Sequence, residues 1–247
     1  MRLSLVRGAV IATVTVVGVL VVAAQAFAVG AADHNGAPNH KVHHGTSTNW
    51  SGYAVSGFGP YTSVSSSWTQ PAVDCAKTPT GWSAFWVGLD GDTTNTVEQT
   101  GTEADCSSGA AVYSAWYEMY PKYPVNYASP VSAGDSFTAS VTYVGSGYFK
   151  LTLSDTTRGW SHTTSQRLRS ARRGSAEAIA EAPSSSGGVL PLADFGTVGF
   201  TGASVNGSLL TGSTSGIEPI TMVSASTVKA APSAISSGSF SDTWYSQ

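Results

Sequence analysis

The sequence predicts an all-β fold, an antiparallel β-sandwich or jelly roll. Three observations carry this. From residue 49 onward, short runs rich in Val, Thr, Tyr, Trp and Ser alternate in polarity between turns containing Gly, Pro and Asn. No long segment keeps a 3.6-residue apolar repeat. About 200 residues of this pattern suit one sandwich rather than two domains, and no internal repeat is visible.

The first residues set the compartment. Arg2 and Arg7 flank a charged start, an apolar run fills positions 8–24, and AAQAFA follows. This is the pattern of a secretory signal spanning 1–28, with cleavage after Ala26 or Ala28. The product is expected outside the cell, without stable membrane association once the signal is removed. Residues 29–48 form a flexible, His-rich segment or a short pro-segment carrying His34, His40, His43 and His44. The folded domain is expected over 49–247. Without Arg2 and Arg7 the chain has ten basic and fifteen acidic side chains. That balance argues against nucleic acid as a partner, because such binding depends on neutralising phosphates. Cys75 and Cys106, an isolated pair in an exported chain, read as one disulfide.

The expected strands follow in order: SVSSSWTQPAV (63–73), SAFWVGLDG (83–91), AVYSAWYEMYP (111–121), DSFTASVTYVG (135–145), GYFKLTLSD (147–155), LADFGTVGFTGASVNG (192–207) and EPITMV (218–223). In the second, alternation puts Phe85, Val87 and Leu89 on one face and Trp86 and Asp90 on the other. In the third, Trp116, Glu118 and Tyr120 share a face. Faces that mix rings with carboxylates suit a partly open groove, since an unpaired buried carboxylate is costly. The stretch GSAEAIAEAP (174–183) is ambiguous: its Ala and Glu favour helix, yet Gly174 and Pro183 leave only about eight residues between them, too few for a lone helix. In an all-β setting it is expected to be a strand, with Glu177, Ile179 and Glu181 on one face. Glu177 is expected to be a structural surface charge. The run RGWSHTTSQRLRSARRGS, with Arg158, Arg167, Arg169, Arg172 and Arg173, is expected to be an exposed hairpin or loop.

Several chemistries lack their residues. His162 is the single histidine of the expected domain, and no Gly-x-Ser-x-Gly elbow accompanies it. There is no His-Glu-x-x-His pattern, no cluster of metal ligands and no Gly-rich phosphate loop, so neither metal nor cofactor is expected. Carboxylates, amides and aromatic rings remain.

NWSGY (49–53), WVGLDGD (86–92), VEQTG (97–101), AWYEMYP (115–121) and SAEAIAEAP (175–183) occur in the order found in the glutamic peptidases, or eqolisins, and the chain resembles a bacterial-type member over roughly 49–245. The resemblance implies two curved, seven-stranded antiparallel sheets, similar to legume lectins, with the active site on the concave sheet. It implies Gln99 and Glu181 as the catalytic pair, with Trp86, Asp90, Trp116 and Glu118 around the cleft. It further implies protein or peptide substrates, an acid preference and a monomer. An ionised glutamate can take a proton from water and return it to the leaving amine, while a glutamine offers both an acceptor and donors. This chain departs from many relatives at Ala178 and Ala180, where larger residues are usual, and at Ser114, an aspartate in some fungal members. Glu98, beside Gln99, should point to the opposite face of an undistorted strand.

Two other functions fit the same residues. Glu118 and Glu181 among tryptophans could be a glycosidase pair, for which about 5–5.5 Å between carboxyls gives retention. Trp82, Trp86 and Trp116 could be stacking platforms of a non-catalytic carbohydrate-binding module. Architecture alone does not separate these from a peptidase.

Overall fold

The computed structural model describes residues 45–247; the leader expected at 1–28 and the histidines of the following segment lie outside the described residues. β1 (Thr46–Ser47) leads into β2 (Trp50–Ser56), followed by β3 (Ser63–Thr69), β4 (Ala84–Leu89), β5 (Val97–Ser107), β6 (Ala110–Tyr120) and the short β7 (Val125–Asn126). β8 (Ser136–Gly145), β9 (Tyr148–Asp155) and β10 (Trp160–Arg167) form a meander. β11 (Ser175–Glu181) is the strand of the paired glutamates, and β12 (Ser184–Ser185) and β13 (Gly188–Val189) make a separate hairpin. β14 (Thr197–Val205), β15 (Ser208–Leu209), β16 (Ile217–Ser224), β17 (Thr227–Pro232) and β18 (Phe240–Trp244) complete the chain.

Fourteen strands pair in one path, β10-β9-β8-β3-β14-β18-β17-β16-β2-β11-β4-β5-β6-β7. Every pair on it is antiparallel. The path folds into two layers of seven, so that β4, β5 and β11 pack on β3, β8, β9 and β14. The layers are not separate sheets. β16 pairs with β2 through Ile217–Ile220 and with β17 through Met222–Ser224, with a register shift between Met222 and Val223. Such a bulge lets one strand bend and serve both layers.

Alternation explains which faces meet. Val64 and Trp68 of β3, Phe149, Leu151 and Leu153 of β9, and Phe200 of β14 are buried and join Phe85, Val87 and Leu89 of β4 in the core between the layers. Ala176, Ala178 and Ala180 of β11 face the same core, so this strand brings methyl groups where its neighbours bring rings. The Trp68 indole donates to Thr102 Oγ1 at 3.0 Å, a polar tie across the layers. Cys75, in the β3–β4 connection, is joined to Cys106 of β5. The basic run is β10 plus an extended strap, residues 168–174, that leads into β11.

Two carboxyls are sealed into this interior. Glu98 is fully buried; burial, reinforced by the charge of Asp90, pushes its pKa up to about 9. Asp242 accepts the Ser51 hydroxyl at 2.9 Å, but burial raises it to about 8. Each acid holds its proton more tightly folded than unfolded, where the ordinary values are 4.5 and 3.8. Their contribution to stability is therefore complete below those ordinary values and is lost as pH rises toward 8–9. The urea midpoint should accordingly fall between about pH 4 and about pH 9, and Glu98→Gln should flatten that fall. A midpoint that rises over the range would contradict the burial of neutral acids.

Candidate active site

One face of the second layer collects the polar groups that could act on a substrate. β11 lies between β2 and β4, with Glu181 opposite Trp50 and Ala84, Ile179 opposite Gly52 and Trp86, and Glu177 opposite Ala54 and Gly88. β5 continues the rows, with Gln99 opposite Gly88 and Gly101 opposite Trp86, and β6 adds Glu118 opposite Gln99 and Trp116 opposite Gly101. The period of two puts all of these on the side away from the interlayer core. Glu98, one residue from Gln99, goes to the core side.

Glu181 is held from both of its oxygens. Asn49 Nδ2 donates to Oε1 at 3.1 Å and Trp86 Nε1 donates to Oε2 at 2.7 Å. The carboxylate is only 8% exposed. Charge-assisted bonds of this kind are the strong ones, and two of them fix the orientation of the group. Trp86, itself fully buried, is seated by its neighbours: a Cβ at Gly101 would collide with the Phe85 carbonyl and the Trp86 Cβ, and one at Gly88 would lie 2.9 Å from the Trp86 ring. The Trp50 ring meets it edge-on at 5.0 Å. Trp50, Trp86, Val97, Trp116, Ile179 and Ile220 form a second apolar cluster under this face.

On the other side of β4, Gln99 Nε2 donates to Glu118 Oε2 at 2.6 Å. That bond directs the amide nitrogen to the carboxylate and leaves Gln99 Oε1, buried, without a hydrogen bond among the described residues. Trp116 Nε1 is likewise buried and unpaired. Ser114 Oγ donates to Glu103 Oε2 at 2.9 Å, so the serine that replaces an aspartate keeps a hydrogen bond at this position. The structure thus brings Glu181 to Trp86 and Gln99 to Glu118, on one face and on opposite sides of β4, with Trp116 beside them.

Asp90, expected at the cleft, stands just beyond the end of β4. It follows β4 with φ 71°, and its fully buried carboxylate accepts the backbone N–H groups of Arg172 (2.9 Å), Arg173 (2.7 Å) and Gly174 (2.7 Å). It clamps the strap that feeds β11. Glu177, expected as a surface charge, is 1% exposed. Burial first, then the charges of Asp92, Asp90 and Glu98, raise its pKa well above the ordinary glutamate value. The general exposure of glutamate misled here, because β11 is paired on both edges and Glu177 stands in the interior of the sheet. Asn49 was not singled out from sequence; its place one residue before Trp50, opposite the end of β11, was the available signal.

The Peptidase A4 family pattern matches residues 48–244. The chain belongs to this family, the eqolisins, which are glutamic peptidases. It is 32% identical to aspergillopepsin-2 of Aspergillus niger over 192 residues, covering 68% of this chain and 66% of that protein. It is 33% identical to scytalidopepsin B of Scytalidium lignicola over 114 residues, covering 45% of this chain and 42% of that one. The chain therefore spans just under two thirds of the first of these curated relatives and less than half of the second. Among solved structures it is similar to scytalido-glutamic peptidase with a transition state analog inhibitor, at TM-score 0.69 and 26% identity, covering 80% of this chain and 98% of that one.

Asp90 offers a direct test of the clamp. At pH 5, where Glu98 is neutral, Asp90→Asn should cost about 3 kcal/mol in urea unfolding through weakened bonds to three backbone amides. Unchanged stability with a raised KM would instead return Asp90 to the substrate.

Proposed function

We propose that the protein is an exported endopeptidase in which Glu181 and Gln99 act on a water and a peptide carbonyl. The observation that carries this is the Glu181 carboxylate, fixed by Asn49 and Trp86 on the face that also presents Gln99, in a chain of the eqolisin family. Both oxygens accept hydrogen bonds, which hold the group in one orientation for proton transfer as a general base. Glu181 removes a proton as water attacks the carbonyl carbon. The unpaired Gln99 Oε1 is an acceptor for the second water proton. The amide nitrogen holds Glu118 with one N–H, and its other N–H is available to the developing oxyanion. Glu181 then returns its proton to the departing amine as the C–N bond breaks. A neutral amide beside the base avoids the like-charge repulsion of two carboxylates.

Glu118 acts as the positioning group for Gln99, and Trp86 as the positioning group for Glu181, while Trp116 Nε1 is a donor left for substrate. Working in acid is consistent with a fold that buries Glu98, Glu177 and Asp242 in neutral form. Export rests on the leader pattern at 1–28. The carbohydrate alternatives draw no support from the geometry. Glu118 is tied to Gln99 and stands in register with Gly88 and Glu177, three strand steps (about 14 Å) across the sheet and four residues along β11 from Glu181. Trp86 and Trp116, at 0% and 4% exposed, present no open ring face for a sugar.

The test is casein hydrolysis from pH 2 to 8 by the secreted protein alongside Gln99→Ala and Glu181→Gln, all checked for folding by circular dichroism. Each substitution should lower kcat by at least about 100-fold, the range seen for loss of one such donor. A parent inert at every pH, even after removal of residues 29–48, would sink the peptidase proposal.

A further inference from the structure

The strap 168–174 presents alternate side chains to two sides. Ser170 and Arg172 line one cavity with the 93–96 loop and Pro121, whereas Arg169 and Arg173 line another, of about 340 Å³, with Arg167 and the Ser146–Gly147 turn between β8 and β9. No carboxylate lines this second cavity. Arg167 donates through Nε to the Ser146 carbonyl at 3.1 Å and lies over the Tyr148 ring at 5.0 Å. Arg173 lies over the Tyr143 ring at 3.9 Å. Its backbone is left-handed, with φ 57°, and is held there by the Asp90 carboxylate on its N–H.

The guanidiniums of Arg167 and Arg173 are thus pre-set by ring stacking, and that of Arg167 also through Nε, with their Nη atoms unpaired among the described residues. Lys77 and Arg158 show the contrast, each meeting an aspartate carboxylate at 2.8 and 2.6 Å. Three arginines around one small cavity that no carboxylate lines are unusual on a chain whose net charge is −3. Planar forks that remain charged at every working pH match tetrahedral and planar oxyanions by bidentate bonding. A carboxylate ligand would lose its charge in acid, whereas phosphate and sulfate groups keep at least one.

We propose that the cavity of Arg167, Arg169 and Arg173 binds a phosphate or sulfate oxyanion, either free or as an ester on a larger ligand. The site lies on the first layer's β8–β9 turn and does not depend on the peptidase proposal. Occupancy would tighten the strap whose other side borders the 93–96 loop.

Thermal unfolding of the full chain at constant ionic strength, with chloride replaced by inorganic phosphate, sulfate or O-phosphoserine, reads the site directly. Serine serves as the blank. The proposal expects a saturable rise in Tm, about 3 °C at ten times the midpoint concentration. Arg167→Ala/Arg169→Ala should abolish it, and Arg169→Glu alone should do the same if the double variant unfolds. Lys122→Ala, which removes an exposed cation elsewhere, should retain it. A lower midpoint for O-phosphoserine than for inorganic phosphate assigns the site to esters, and the reverse assigns it to the free ion. No rise with any probe, an equal rise in the arginine variants, or an equal loss in the lysine variant would overturn the proposal.

Discussion

The bond from the Trp86 indole to Glu181 is the contact on which the site depends. It joins a residue of β4 to the last residue of β11, across the register that sets the second layer. Trp86 packs against Gly88 of its own strand and Gly101 of β5, and Gly88 is the cross-strand neighbour of both Glu177 and Gln99. Packing and chemistry are therefore one constraint. The ring that fills the space under the face also fixes the carboxylate above it, and Asn49 completes the hold from the opposite side.

A second constraint is electrostatic. Few charged side chains are present, and several of the acids are placed where they hold their protons rather than where they find cations. Glu98, Glu177 and Asp242 are raised by burial, while Asp90 stays useful as an acceptor of backbone amides. A molecule arranged in this way is strained by alkali and relaxed by acid. The same Asp90 clamp ties the strap to β11, so conditions that disturb the acid group disturb the entrance to that strand as well.

Much of this was legible in the residues. Alternation put Trp116 and Glu118 on one face of their strand and separated Glu98 from Gln99, because these strands are regular, while the resemblance chose which of those faces meet at the cleft. The expectation that GSAEAIAEAP forms a strand held against its own helix propensity, since both edges of β11 are paired. Asp90 escaped the same parity rule because its positive φ turns the chain at the end of β4. Glu177 was misjudged because exposure statistics say nothing of a strand whose two edges are both covered by strands distant in sequence. The continuity of the layers through β16 depends on a bulge at Met222 that no local pattern announces. Asn49 acts over 132 positions of sequence, a contact that only the folded register creates.

The most direct test is a crystal structure with a peptide carrying a tetrahedral phosphinate in place of the scissile amide. The account predicts one phosphinate oxygen within hydrogen-bonding distance of Glu181, where the attacking water belongs, and another within reach of the Gln99 amide nitrogen, with Trp86 and Asn49 still holding the carboxylate. A phosphinate seated away from both residues, or a Glu181 released from Trp86 in the complex, would contradict it.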